Sequence, residues 1–126
     1  MVLRFAGRYD EAIPNLEKAI RLDPITTVNY LHNLAWAYAY SKVYDKAISL
    51  WNRTIQKNSD YLFAHMGLAA AYQLSGNDRK AKEHAAILIR IRPELSLARI
   101  RKSFFTNDAA GRDRILEALR LAGIPE

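Results

Sequence analysis

Three histidines are the side chains in this sequence best suited to acid–base or metal chemistry. His32, His65 and His84 lie far apart in the sequence, and the chain has no cysteine. Metal sites on helices usually place histidines about three to five residues apart, or combine them with cysteine. Neither pattern occurs, and the sequence has no glycine-rich phosphate loop and no serine elbow. The sequence therefore predicts no metal, no cofactor and no catalytic activity.

Neighbouring carboxylates are the other arrangement that could support catalysis. Asp10 and Glu11 form such a pair. They stand at the start of a predicted helix, where a negative side chain compensates the helix dipole. We interpret them as structural residues.

The composition favours a single packed domain. The chain has 126 residues, of which 50% are hydrophobic and 25% are charged, so disorder is not expected. No apolar run approaches the ~20 residues that span a bilayer, and the first apolar stretch is too short for a secretory signal. The sequence therefore predicts no membrane association and a cytoplasmic location.

The chain is basic, with a formal net charge of +6. The positive residues are densest in one stretch near the C-terminus: Arg90, Arg92, Arg99, Arg101 and Lys102. Charges on helices usually form a solvated face. The alternative is binding of nucleic acid or another anionic surface through this stretch. Nucleic acid is the weaker interpretation, because single-strand binders interleave aromatic side chains with the basic ones.

Three segments of the sequence repeat one another. Ala12, Ala47 and Ala81 are spaced by 35 and 34 residues, and Pro24, Ser59 and Pro93 follow the same spacing. The second segment reads Leu31, Leu34, Ala35, Tyr38, Ala47, Trp51, Ser59, and the third reads His65, Leu68, Ala69, Tyr72, Ala81, Ala85, Pro93. A period of about 34 residues is typical of stacked helix pairs.

With this period and pattern, the chain resembles the tetratricopeptide repeat (TPR) family. The resemblance implies an all-α fold, an α-solenoid of helix-turn-helix repeats (an α–α superhelix) with C-terminal capping helices. It also implies a non-catalytic module that binds a protein or peptide. The chain departs from the family pattern with Leu31 and His65 in place of tryptophan, Ser59 in place of proline, and Ala85 in place of a bulky residue.

The repeats predict the domain organisation and the helices. We expect one domain with a truncated repeat at 1–26, repeats at 28–61 and 62–95, and capping helices at 96–126. Five helices are predicted at 9–22, 28–41, 44–57, 62–75 and 78–91, followed by two at 95–105 and 110–122. Proline ends the second helix of a pair, and Gly7 and Gly76 stand in the turns between paired helices.

Packing explains the residue types inside the repeats. Ala35, Ala47, Ala69 and Ala81 are small where paired helices approach closely. The large side chains between neighbouring helices are Tyr38, Trp51 and Tyr72. We expect Tyr38 to be a core residue.

The resemblance also implies a concave groove lined by the first helix of each pair. Its side chains in the two repeats are Asn29, His32, Asn33, Trp36, Tyr40, Phe63, Met66, Ala70, Gln73 and Leu74. The aromatic members could anchor a bound peptide or helix. Alternatively, they pack against the C-terminal helices or a second chain. A clamp for a partner's terminal carboxylate is not expected, because Phe63 and Gly67 stand where the family clamp has lysine and arginine.

The two ends of the sequence give further predictions about the partners of the chain. An incomplete first repeat leaves apolar surface that a neighbour would normally cover, which predicts a fragment of a longer protein that forms a homodimer. Residues 119–126 are similar to tails that follow such repeats in bacterial signalling proteins. That similarity implies that an effector domain is absent here, and a self-association module of a larger bacterial regulator is an alternative function. The identity of a protein partner does not follow from the sequence.

Overall fold

The computed structural model describes residues 9–22, 27–102 and 108–126. Within these residues the secondary structure is helical, and there is no strand. The helices are α1 (Tyr9–Leu22), α2 (Thr27–Tyr40), α3 (Tyr44–Lys57), α4 (Leu62–Leu74), α5 (Asp78–Ile91), α6 (Leu97–Lys102) and α7 (Ala109–Ala122). The predicted all-α fold is confirmed, and the first five helices agree with the predicted bounds to within one residue.

Each of the first four helices packs against the next one along the chain, and α2 also contacts α4. This is the arrangement of stacked helix pairs, in which α2 with α3 and α4 with α5 form successive units. Ala35, Ala47, Ala69 and Ala81 are fully buried, as predicted for close approach of paired helices. Residues at equivalent positions of the sequence repeat therefore also occupy equivalent positions in the packing.

The turns inside the two units share one geometry. Lys42 N–H donates to Ala39 and Val43 N–H donates to Tyr38, as Gly76 and Asn77 donate to Gln73 and Tyr72 in the next unit. These paired bonds form a Schellman motif, which requires a left-handed residue after the helix. Gly76 has a φ of 92°, and Lys42 adopts a φ of 66° at the equivalent position. Lysine pays a steric cost there that glycine avoids.

Side-chain caps stand at the start of two helices. Asn77 caps α5, since its side chain accepts a hydrogen bond from Lys80 N at 3.2 Å. Asp108 caps α7 by accepting from Gly111 N at 2.9 Å. Helix α6 begins two residues later than predicted, and its predicted end lies within residues 103–107, which are outside the described part. Gly7 and Pro24 also lie outside it.

Tyr38 is less buried than the sequence predicts. Its ring is only partly buried against the core, and its hydroxyl donates to Glu17 Oε1 at 2.7 Å. The Lys46 ammonium lies 5.4 Å from the ring centroid. Burial and the Glu17 carboxylate raise the pKa of Tyr38 to about 12. The side chain therefore tethers α2 to α1 at the edge of the core.

We expect Tyr38→Ala to lower the free energy of unfolding by roughly 1–3 kcal/mol, because a half-buried ring and one hydrogen bond are lost. Tyr38→Phe is the matched control, since it removes only the hydroxyl. Urea unfolding followed by circular dichroism measures both variants. A loss above about 4 kcal/mol for the alanine variant would contradict this position at the edge of the core.

Candidate functional site

The predicted groove residues of α2 are buried among the chain's own aromatic side chains. Trp36 has no exposed surface, and Tyr40 and His32 are 4% and 6% exposed. The Trp36 ring lies 4.9 Å from that of Trp51, between ring centroids, in an edge-on arrangement. Trp36 Nε1 donates to His32 Nε2 at 3.1 Å. Asn33 is half-buried. The structure does not describe the side chain of Asn29.

Helix α4 is buried on every side. Residues 64–72 are nine successive buried positions, so neighbouring helices surround most of its length. His65 and Tyr72 face α5, because both rings pack against His84. Gly67 faces α3, where a Cβ atom on the glycine would overlap the Trp51 indole.

The predicted groove side of α4 is a third face, which carries Met66, Ala70 and Gln73 at helical spacing. Met66 and Ala70 are almost fully buried, and Gln73 is half-buried. Helix α7 packs extensively on α4. Since α3 and α5 cover the other faces, we infer that α7 covers this one.

Helix α7 also reaches the end of α2. Arg114 Nη2 donates to the carbonyl oxygen of Tyr40 at 3.0 Å, and a Cβ atom on Gly111 would lie 2.5 Å from Tyr40 Cδ1. The first turns of α7 therefore lie at the last turn of α2. At the other end, Leu97 N–H donates to the carbonyl oxygen of Pro125 at 2.8 Å. This bond fastens the segment after α7 to the start of α6.

A comparison with known protein families identifies a repeat in the first segment of the chain. Residues 1–26 match the family model described as "Tetratricopeptide repeat". This match supports the assignment of the chain to the tetratricopeptide repeat family. The matched segment is the one predicted as a truncated repeat, and the two helix pairs after it continue the period. No curated protein matches the chain.

The TPR family generally mediates protein–protein interaction and is generally non-catalytic. In this chain the aromatic groove residues of α2 pack internally, which is one of the two interpretations that the sequence leaves open. Trp36 and Tyr40 are not exposed, because Trp51 and α7 approach them. A direct role for the predicted groove residues in binding a partner stays a prediction. Among the described residues, no helix is long and apolar enough to cross a membrane.

One part of the surface remains open beside α4. A cavity of about 210 Å³ lies between the start of α4, the end of α5 and α6. Its lining is mainly apolar and includes two predicted groove residues: Leu62, Phe63, Met66, Leu88, Leu95 and Ile100, with Arg92, Glu94 and Arg99. Arg92 Nη1 lies 3.9 Å from Glu94 Oε1, and both side chains are more than half exposed. The cavity can therefore take an apolar side chain beneath a charged rim.

Two of the three histidines form a pair, while His32 lies apart from them among aromatic side chains. His65 Nδ1 lies 3.0 Å from His84 Nδ1, and His65 Nε2 lies 2.7 Å from the carbonyl oxygen of Ser59. The carbonyl can only accept, so His65 carries its proton on Nε2 and His84 donates to it. Burial, helped by the neighbouring His65 and Lys80, lowers the pKa of His84 to about 4. The pair joins α4 to α5, a role that the sequence spacing did not indicate.

Proposed function

We propose that this protein is a non-catalytic module that binds a peptide or helix of a partner protein at the concave side of its repeats. The observation that carries the proposal is the open apolar cavity beside α4, which contains Phe63 and Met66. Protein interfaces are anchored by a few large side chains that fill such pockets, surrounded by a polar rim.

The rim of the cavity indicates what kind of segment fits. Arg92 and Arg99 contribute two positive charges, and Glu94 offsets one of them. Charge complementarity across an interface selects partners and accelerates association. We therefore expect a segment with a large apolar residue next to at least one acidic residue. The basic stretch then contributes to protein binding, and nucleic-acid binding through it stays the alternative prediction.

We expect Phe63→Ala to weaken peptide binding by about tenfold or more, because the partner's anchor loses its contact with the ring. The ligands would be selected from a displayed library of 20-residue peptides with the full chain as bait. Isothermal titration calorimetry then measures their dissociation constants.

The matched control is Ile48→Ala, which truncates a half-buried apolar side chain on α3, away from the cavity lining. Affinity should change less than twofold in this variant. Equal affinities for the wild-type chain and Phe63→Ala would remove the cavity from the proposed function.

A further inference from the structure

Helix α7 is itself an amphipathic helix bound to the predicted groove face of α4. The stripe that it buries contains Gly111, Ile115, Ala118, Leu119 and Ala122. Its other side is in solvent, and Leu121 is 51% exposed. Binding of one apolar helix face in a groove is a common mode of peptide recognition. The molecule therefore contains an example of the kind of ligand that its groove fits.

The first turn of α7 defines one requirement for such a ligand. Gly111 lies so close to Tyr40 that a side chain there would overlap the ring. A helix in this place needs glycine at this position. Its next contacts are the buried side chains Ile115 and Leu119, four and eight residues further on.

The docking of α7 leaves polar atoms unsatisfied. Arg114 hydrogen-bonds to the carbonyl of Tyr40 through Nη2. Its Nε atom is buried, as is Gln73 Oε1 on the groove face of α4, and neither has a hydrogen-bond partner among the described residues. A buried polar atom without a partner destabilises the state that contains it. A helix that donates a hydrogen bond to Gln73 Oε1 and has no buried, unpaired guanidinium nitrogen would bind the face better than α7 does.

We propose that α7 competes with the partner for the groove, and that the partner is an amphipathic helix with the α7 pattern. That pattern is glycine at the place of Gly111, followed by branched apolar residues four and eight residues later. The proposal rests on the proposed function and specifies its ligand. A partner anchored in the neighbouring cavity would then replace α7 on α4.

The test uses a fluorescent peptide with the sequence of residues 108–126 and the full chain. Gly111→Val in the chain should loosen its own α7 while leaving the groove intact. We expect this variant to bind the peptide at least tenfold more tightly than the wild-type chain does, by fluorescence anisotropy. A peptide that carries Gly111→Val should not bind. Leu121→Ala in the chain is the matched control, and it should behave as wild type because this side chain points to solvent.

A second variant covers the case in which Gly111→Val fails to fold. Arg114→Ala removes only the hydrogen bond to Tyr40, and it should also raise the affinity for the peptide, by a smaller factor. Circular dichroism reports whether each chain keeps its helices. If folded variants bind the peptide no better than wild type does, competition by α7 is overturned. In that case the proposed function would still be supported if peptides from the library bind the wild-type chain.

Discussion

We expect Trp51→Ala to lower the free energy of unfolding by about 3–5 kcal/mol, as large-to-small changes at buried aromatics do. Trp51 is completely buried. Its indole packs edge-on against Trp36 and lies directly over the backbone of Gly67. Removing it opens a cavity between α2, α3 and α4, and Gly67 has no side chain that could fill the space. Urea unfolding followed by circular dichroism measures the loss.

Trp51→Phe is the informative control for this prediction. It keeps most of the ring contact and removes the indole N–H, which is buried and has no hydrogen-bond partner among the described residues. The phenylalanine variant should therefore lose clearly less stability than the alanine variant does. An alanine variant that loses under about 1 kcal/mol would show that α3 does not pack on α4 as described.

Acidification from pH 7 to pH 4 should destabilise the folded chain through two histidines. Burial lowers the pKa of His32 to about 4, from 6.5. Between these values the unfolded chain binds a proton and the folded chain does not, so stability falls as the pH falls. The shift in His32 corresponds to about 3 kcal/mol. His84 acts in the same direction, but with a smaller effect because solvent screens its half-exposed ring.

The surroundings of both histidines explain the direction of this effect. His32 lies among Tyr61, Phe63 and Trp36 and accepts the Trp36 indole N–H, which an added proton on Nε2 would prevent. At His84, the neighbouring His65 and Lys80 oppose a positive charge, and Glu83 favours it. Burial outweighs the glutamate at His84.

Substitution of each histidine distinguishes its contribution to the pH dependence of stability from that of the carboxylates, which also titrate in acid. His32→Gln keeps a hydrogen-bond acceptor for Trp36 and removes the titrating ring. The difference in unfolding free energy between pH 7 and pH 4 should shrink by about 3 kcal/mol in this variant. His84→Gln should shrink it by less. An unchanged difference in both variants would mean that neither histidine is protonated preferentially in the unfolded chain.

The repeat period made the helix pairs predictable from the sequence. Ala47 and Ala81 mark the positions at which two helices approach, and Gly76 marks the turn before a second helix. These features act within one repeat or between neighbours, so a pattern along the chain is enough to recognise them. The turn at Lys42 has no glycine, but its backbone hydrogen bonds are equivalent to those of the turn in the next unit.

The position of α7 could not be predicted in the same way. Ile115 and Leu119 show that the helix has an apolar face, but periodicity does not identify the surface that this face covers. For that reason the sequence left two roles open for Trp36 and Tyr40. The close approach of Gly111 to Tyr40 involves residues on helices that are not neighbours along the chain. No local pattern marks a contact of this kind.

The hydrogen bond between Arg114 and Tyr40 joins residues that are 74 positions apart, whereas the helix pairs are built from contacts between neighbours. Bringing distant segments together costs chain entropy before any contact offsets it. The pairs can form as the chain leaves the ribosome, while α7 has no surface to bind until α2 and α4 are both in place. Because α7 follows α2 and α4 along the chain, the groove face that carries Met66 and Ala70 is synthesised before the helix that covers it.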